Sequence, residues 1–453
     1  MEEDEINALL PDEMLRKVFS FLPPPDLKSS VLVCKRWAEV GEAPGLWSWV
    51  TFTVNSINME SMAEKMGLRR LQCVTKLEIR HRTMVCEGLM QAVAIHPGLK
   101  TIQCSPSGLT QTFNPNINTD LCWVKPELLT QALSKMEDVR LTGALLMPQH
   151  LNAICTSISF EETNKIQRLD LSWIKNLALM EPLTLALAVS KLKHARLIMA
   201  LPKVAPHGVE IMKALGKSSS STTHVYMDEV DLSAVDAKMF GRNICCKLIS
   251  LHLTNVELTT QQATSLFVGI GEESSCLENL WVDFNSLSSV EPFIFVQAMT
   301  ALRLLSLNNT GLTSQQLEAI FDALEEPGHL QRLNLAGNNL FLVDPAKMAR
   351  VNSLQEIILC LTNLTMQQVI SIAEGSLEGT KLKRVRWTDE DLVNLGTEEE
   401  WERLQVLFAR AASLGINIFQ DTGCCTVLRD TVRRSRMYMY ISSVMNNFDD
   451  LRN

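Results

Sequence analysis

Apolar residues recur at two different periods along this chain, and the change between them falls near Val50. Before it, in LPDEMLRKVFSFLPPPDLKSSVLVCKRWAEVGEAPGLWSW (10–49), Met14, Leu15, Val18, Phe19 and Leu22 return at helical spacing. Arg16, Lys17 and Ser20 face the other way. Pro11 suits the first helical position, where its missing N–H is not needed. Pro23-Pro24-Pro25 stops the helix, because Leu22 before a proline is biased out of the helical region. Asp26 caps a second helix, in which Leu27, Val31, Cys34 and Ala38 make one stripe. A helical pair this short has more large apolar side chains than one small interface hides. Burying each is worth roughly 1.5–3 kcal/mol, so a second surface is implied, either the rest of the chain or a partner.

After Val50 the period lengthens. L-x-x-L-x-L recurs with first positions at Leu248, Leu277, Leu302, Leu330, Leu354 and Leu382, in steps of 24 to 29 residues. The fullest copies are Leu277, Leu280, Val282, Asn285, Leu287 and Leu330, Leu333, Leu335, Asn338, Leu340. L-x-L alternation points two side chains inward from one short strand and the residues between them outward. The asparagine can turn inward and satisfy backbone groups at the bend. The helical halves begin at Gln261-Gln262, Ser314-Gln315-Gln316 and Met366-Gln367-Gln368, each leading into an apolar stripe. Upstream the pattern is blurred. It predicts strands at Leu77–Ile79, Ile102–Cys104, Val139–Leu141, Leu169–Leu171, Ala195–Leu197 and Val230–Leu232, an inserted loop at 105–120 and a flexible GKSSSSTTH (216–224). Trp401, Leu404, Leu407, Phe408 and Ala411 suggest a late helix, and Ile416–Phe419 a last strand. The organisation expected is a helical module over 1–50, a linker over 51–69, repeats over 70–420, and a cap or tail over 421–453.

Composition narrows the function classes. A chain of 453 residues, 46% hydrophobic and 21% charged, can bury a large core and is not a disordered scaffold. Its net charge of −9 argues against general nucleic-acid binding, and Glu2-Glu3-Asp4-Glu5 is the opposite of a secretion signal. The most apolar stretch, 177–192, is broken by Glu181 and Pro182 and is too short to span a bilayer, so no membrane is expected. A soluble cytoplasmic or nuclear protein is the expectation. The twelve cysteines are scattered, and the vicinal pairs Cys245-Cys246 and Cys424-Cys425 lack the spacing of a zinc site, so they read as unligated thiols. The eight histidines form no ligand motif, Gly269-Ile270-Gly271 does not complete a dinucleotide loop, and no serine sits in a nucleophile elbow. Expected, then, are no catalytic residues, no metal and no cofactor.

The N-terminal stretch closely resembles an F-box. Leu10-Pro11, Phe19-Ser20-Phe21-Leu22-Pro23, Asp26-Leu27, Val33-Cys34-Lys35-Arg36-Trp37 and Leu46-Trp47 stand in the family's order. The resemblance implies docking on a Skp-family adaptor and, through it, on a cullin–RING ligase core. It assigns the contact to Leu10, Pro11, Met14, Leu15, Val18, Phe19, Leu22, Leu27, Val31, Cys34 and Trp37. The rest resembles the ribonuclease-inhibitor-like leucine-rich repeats found behind the F-box in one F-box subfamily. The fold class implied is α/β: a helical F-box, then a leucine-rich-repeat horseshoe with parallel strands on the concave face and helices on the convex face.

Outward strand positions would line the concave face, and they read as a polar row of both signs, suited to an unknown protein substrate. The candidates are His252, Asn279, Trp281, Asp283, Asn308, Arg332, Asn334, Glu356, Arg384 and Arg386. Trp281 is either a protruding interface anchor or a ring packed on its strand neighbours. The basic run Arg429, Arg433, Arg434 and Arg436 is either a docking tail or the solvated face of a capping helix. The resulting expectation is a substrate-recognition subunit of an SCF-type E3 ubiquitin ligase. The alternative is a repeat scaffold that assembles with the adaptor without directing ubiquitination.

Overall fold

Strand and helix alternate from Thr51 to Gln420, each strand three to five residues long. The computed structural model describes residues 10–420 apart from 48–49, 69–70, 81–82, 106–118, 198–204, 218, 273–274, 327, 352, 378–380 and 388–396. Most of the 105–120 insertion, the pair Cys424-Cys425, the basic run and the 421–453 tail lie outside the described residues. The chain divides into two compact units, up to Thr184 and from Leu185.

The first unit opens with helices Asp12–Phe19, Pro24–Ser30 and Lys35–Gly41 and a 3₁₀ turn, Pro44–Trp47. Its strands are β1 (Thr51–Val54), β2 (Lys76–Arg80), β3 (Thr101–Ser105), β4 (Asp138–Arg140) and β5 (Arg168–Asp170), paired in sequence order and parallel. The expected linker at 51–69 is therefore a repeat: β1 pairs with β2, buries Phe52 and Val54, and is followed by helix Met59–Met66. TFTV alternates correctly but carries no leucine, so the leucine pattern passes over it.

The second unit holds β6 (His194–Arg196), β7 (His224–Tyr226), β8 (Ser250–His252), β9 (Asn279–Trp281), β10 (Leu304–Ser306), β11 (Arg332–Asn334), β12 (Glu356–Ile358), β13 (Arg384–Trp387) and β14 (Asn417–Gln420). All pair with their neighbours in parallel. Leu251, Leu280, Leu305, Leu333, Ile357 and Val385 share one register position and are almost wholly buried. Here the expected inward register is the observed one. The strand expected at Val230–Leu232 lies instead at His224–Tyr226. Val230 and Leu232 are buried, but in the turn after β7, and their leucine-like spacing imitates a strand. Consequently 216–224 is not a free linker. Thr222 Oγ1 donates to the Val189 carbonyl at 2.7 Å, the Ser221 N–H donates to that of Ser190 at 2.9 Å, and His224 is already strand.

Four residues past Val225, Leu251, Leu280, Leu305, Leu333 and Ile357 the backbone turns left-handed: Glu229, Asn255, Phe284, Asn309, Gly337 and Leu361 have φ between 52° and 70°. The corner N–H then reaches the next repeat, as from Phe284 to the Asn308 carbonyl at 2.8 Å and from Gly337 to that of Cys360 at 2.9 Å. Asparagine and glycine take this conformation cheaply; phenylalanine, glutamate and leucine do so only because the ladder on both sides enforces it.

Buried amides close the turns. Asn285 Nδ2 donates to the carbonyls of Leu253 (2.6 Å) and Val282 (2.9 Å), while its Oδ1 accepts from Val256 and Leu258 N–H. Asn338 repeats the arrangement two repeats later. The Gln-Gln pairs are helix caps with a second use. In Thr259–Gln262 and Thr313–Gln316 the two side chains exchange bonds with each other's backbone. The spare amide hydrogens of Gln316 reach the Leu287 and Val290 carbonyls of the preceding repeat, and those of Gln368 reach Leu340 and Val343. One residue therefore starts a helix and fastens it to its neighbour.

Candidate functional site

Helix Asp12–Phe19 has two apolar faces, and they have different fates. Leu15 and Phe19 are buried, as are Leu27, Val40, Leu46 and Trp47, and Phe19 is edge-on to Trp37 at 5.2 Å between centroids. Gly41 permits the closeness: a Cβ there would lie 2.9 Å from Val31. The Trp47 indole N–H donates to the Gly41 carbonyl at 2.7 Å. The opposite face is left bare. Leu10, Met14 and Val18 fall on one stripe and are exposed (Met14 50%), as are Pro11 and Phe21 (78%) and, at the end of the second helix, Leu32 (82%) and Val33. Arg36 ties the first helix to the third by an ion pair to Asp12 at 2.8 Å and a bond to the Leu10 carbonyl.

This divides the sequence-assigned contact set. Leu10, Pro11, Met14 and Val18 are accessible; Leu22, Val31, Cys34 and Trp37 are half-buried; Leu15, Phe19 and Leu27 belong to the interior and are corrected to structural residues. Cys34 has a local duty as well, its sulfur accepting the Trp37 N–H at the start of the third helix. Phe21, Leu32 and Val33, exposed on the same module, are not among the residues assigned from sequence. Helical phase from Met14 and Val18 would have found Phe21; the other two follow the last turn of a helix, where phase is lost.

In the second unit the expected outward row stands on the sheet face opposite the leucines. Outward does not mean exposed, however: His252, Trp281, Asp283, Asn308, Asn334 and Glu356 are all nine-tenths or more buried. Adjacent strands lie about 4.8 Å apart, less than the width of these side chains, so each covers the next. Tyr226, His252 and Trp281 form a stack across β7–β9, with centroids 4.1 and 3.6 Å apart. Trp281 is thus a packed ring rather than a protruding one. The His252 imidazole is held well below its usual pKa by burial and by nearby Arg196 and His224. Asp283 Oδ1 accepts from Ser306 Oγ at 2.6 Å and from the Asn308 N–H at 2.8 Å. Burial nevertheless pushes its carboxyl up to about 7, and that of Asp228 up to about 6. Asn334 Nδ2 donates to Ser306 Oγ at 3.0 Å. Asn279 is half-buried beside the stack.

Four of the candidates meet at β11–β13. Glu356 is the hub: Arg386 lies 3.1 Å and Arg384 3.5 Å from its Oε1, and Arg332 lies 3.7 Å from its Oε2. The carboxylate is sunk while the guanidinium groups remain part-exposed. Tyr226 was missed because of the slip at β7.

No group of three or more His, Cys, Asp or Glu among the described residues could hold a metal ion. The buried thiols of Cys104, Cys155 and Cys245 are pushed up to about 12 by loss of solvent, which leaves them unreactive. No helix among the described residues is long and apolar enough to cross a membrane.

Taken together, the chain places a three-helix N-terminal module ahead of parallel strand–helix repeats of the leucine-rich type. Residues 8–53 match the F-box-like family, so the chain carries an F-box-like domain ahead of its repeats. Among solved structures it is similar to the yeast Rad7–Elc1 complex (12% identity, TM-score 0.49, covering 88% of this chain and 94% of that one). It is also similar to the TLR13–ssRNA13 complex (15% identity, TM-score 0.41), covering 73% of this chain but spanning only 47% of the other.

Proposed function

We propose that this chain is the substrate-receptor subunit of an SCF-type ubiquitin ligase. Its F-box-like domain would dock a Skp-type adaptor through Leu10, Pro11, Met14, Val18, Phe21, Leu32 and Val33. The observation that carries this is the bare apolar row on a helix whose other face is completely used, within the stretch that matches the family. Such a row is costly in water, and covering each large side chain is worth roughly 1.5–3 kcal/mol. The polar sheet face of the second unit would hold the protein to be ubiquitinated. Chemistry would reside in other subunits. This chain's part is to raise the effective concentration of a substrate lysine beside the loaded conjugating enzyme.

The test has two stages. Met14→Asp with Val18→Asp should abolish co-purification of adaptor and cullin while the circular dichroism spectrum stays unchanged. Reconstituted complex should then ubiquitinate a protein captured by the repeats. Adaptor binding that survives the double substitution rejects the docking face. Capture without ubiquitination in the full complex turns the reading into that of an assembly scaffold.

A further inference from the structure

We infer that Cys246 and Cys276 are a reversible dithiol site, at which a peroxide joins the two sulfurs in a disulfide that fastens the repeat of β8 to the repeat of β9. The inference stands on the placement of the thiols and goes beyond the receptor reading above without depending on it.

The two residues are thirty positions apart, with β8 and the Thr260–Gly271 helix between them. The backbone nevertheless sets them side by side, because the Cys276 N–H donates to the Cys245 carbonyl at 2.8 Å. In a parallel ladder, a residue whose N–H donates to one carbonyl stands opposite the residue after that carbonyl. The neighbouring strands obey the rule: the Asn279 N–H donates to the Ile249 carbonyl, and Asn279 pairs with Ser250. Cys276 therefore stands opposite Cys246, with their Cα atoms about one strand spacing, roughly 4.8 Å, apart. A disulfide needs roughly 4.4–6.8 Å between Cα atoms. The joint recurs in the array, where the Lys165 and Ser221 N–H groups donate to the Ser134 and Ser190 carbonyls. Lys135 with Lys165, and Lys191 with Ser221, are the residues opposed there.

Side-chain direction is the second ground. Cys245 is turned into the core, its sulfur 3.6 Å from the Phe240 carbonyl and 3.8 Å from that of Leu266. Leu277, the neighbour of Cys276, is buried as well. Alternation puts Cys246 and Cys276 on the outer side of the joint, where Cys246 is half-buried and Cys276 exposed. The Cys246 sulfur makes a weak contact with the Asn243 carbonyl at 3.8 Å. The vicinal pair visible in the sequence is thus divided, one thiol given to packing and the other set beside a partner from the next repeat. An accessible thiol with a second thiol in reach is the arrangement that captures a sulfenic acid as a disulfide.

The chemistry balances with hydrogen peroxide as oxidant. The Cys276 thiolate attacks one peroxide oxygen, the O–O bond breaks, and sulfenic acid and one water result. The Cys246 thiolate then attacks that sulfur, forms the S–S bond and expels the hydroxyl, which leaves as a second water with the remaining thiol proton. The two sulfurs together lose two electrons, and the two peroxide oxygens gain them. A dithiol reductant reverses the bond by exchange.

The experiment treats the full chain with hydrogen peroxide, blocks remaining thiols with N-ethylmaleimide and maps tryptic peptides without reduction. The Cys246–Cys276 link should be recovered at least tenfold above any other pairing of the twelve cysteines, and should vanish with dithiothreitol. In concentrated urea that preference should disappear. Fragmentation distinguishes Cys246 from Cys245; in addition, Cys245→Ala should keep the link, whereas Cys246→Ser and Cys276→Ser should lose it. The oxidised chain should unfold at a higher urea concentration than the reduced chain, a shift that Cys276→Ser abolishes. A link through Cys245, a link no more abundant than the others, or Cys276 recovered only as sulfinic acid overturns the site. An oxidised chain no more resistant to urea than the reduced one overturns the fastening.

Discussion

Asp283 is the residue whose replacement reports most directly on the buried sheet face. An outward strand aspartate on an open surface would tolerate alanine within about 0.5 kcal/mol. In the structure it is 3% exposed and accepts two hydrogen bonds. Asp283→Ala strands the Asn308 N–H and loosens Ser306, at about 1–3 kcal/mol for each buried donor left unmade, so a loss of about 2–5 kcal/mol is expected at pH 5. Asp283→Asn keeps an acceptor oxygen in place and separates charge from hydrogen bonding. The folded carboxyl, pushed up to about 7, lies above its ordinary 3.8, so the native state holds its proton more tightly than the unfolded chain. Its stabilising contribution is therefore complete below about pH 4 and is lost as pH rises to about 7. The full linkage is about 4 kcal/mol at 1.36 kcal/mol per pKa unit, of which about 2–3 falls between pH 5 and pH 8. The side-chain amide of the Asp283→Asn variant does not titrate. Urea unfolding followed by tryptophan fluorescence, at pH 5, 6, 7 and 8, should show Asp283→Asn within about 1 kcal/mol of the parent at pH 5, and gaining on it by about 2–3 kcal/mol at pH 8. A difference that does not change with pH would falsify the burial of this carboxyl, as would an alanine variant indistinguishable from the parent at pH 5.

Four further outcomes follow from other parts of the molecule. Leu10→Ala with Pro11→Ala should weaken adaptor affinity without unfolding, whereas Phe19→Ala should cost about 3–5 kcal/mol and lower the melting temperature; similar behaviour of the two in calorimetry and pull-down would mean the helix faces are assigned the wrong way round. Leu280→Ala and Leu335→Ala should each cost about 2–5 kcal/mol in chemical denaturation, and a value near zero would mean a slipped register. Gln316→Ala should lose about 2–4 kcal/mol, through its cap and the carbonyls of Leu287 and Val290, and should speed amide exchange of the Ser314–Glu325 helix; exchange unaltered there rejects the fastening role. Leu361→Asn, at φ 57°, should stabilise by about 0.5–1 kcal/mol, and a loss in melting temperature would show that the leucine side chain matters more than the strained corner.

How much was legible differs from element to element, for physical reasons. Helical phase and the proline triplet located the N-terminal module, since i, i+4 spacing is a local property. It could not say which of two apolar faces turns inward, because that depends on Trp37 and Gly41 arriving from later in the chain. The repeats from β8 to β13 were readable because each strand must place one large aliphatic residue at the same depth, and leucine mostly does so. β1 and β7 escaped because Phe52 and Val225 meet that need without leucine, while Val230 and Leu232 satisfy the pattern from a turn. Period and inward register, then, belong to the sequence alone: they follow from alternation and from the cost of leaving leucine in water. Exposure and charge state belong to the tertiary structure. Trp281, Asp283 and Glu356 are shielded by neighbours some 25 residues away that stand one strand spacing off, and only that proximity packs the tryptophan into a stack, lifts the aspartate's pKa and gathers three arginines on one carboxylate.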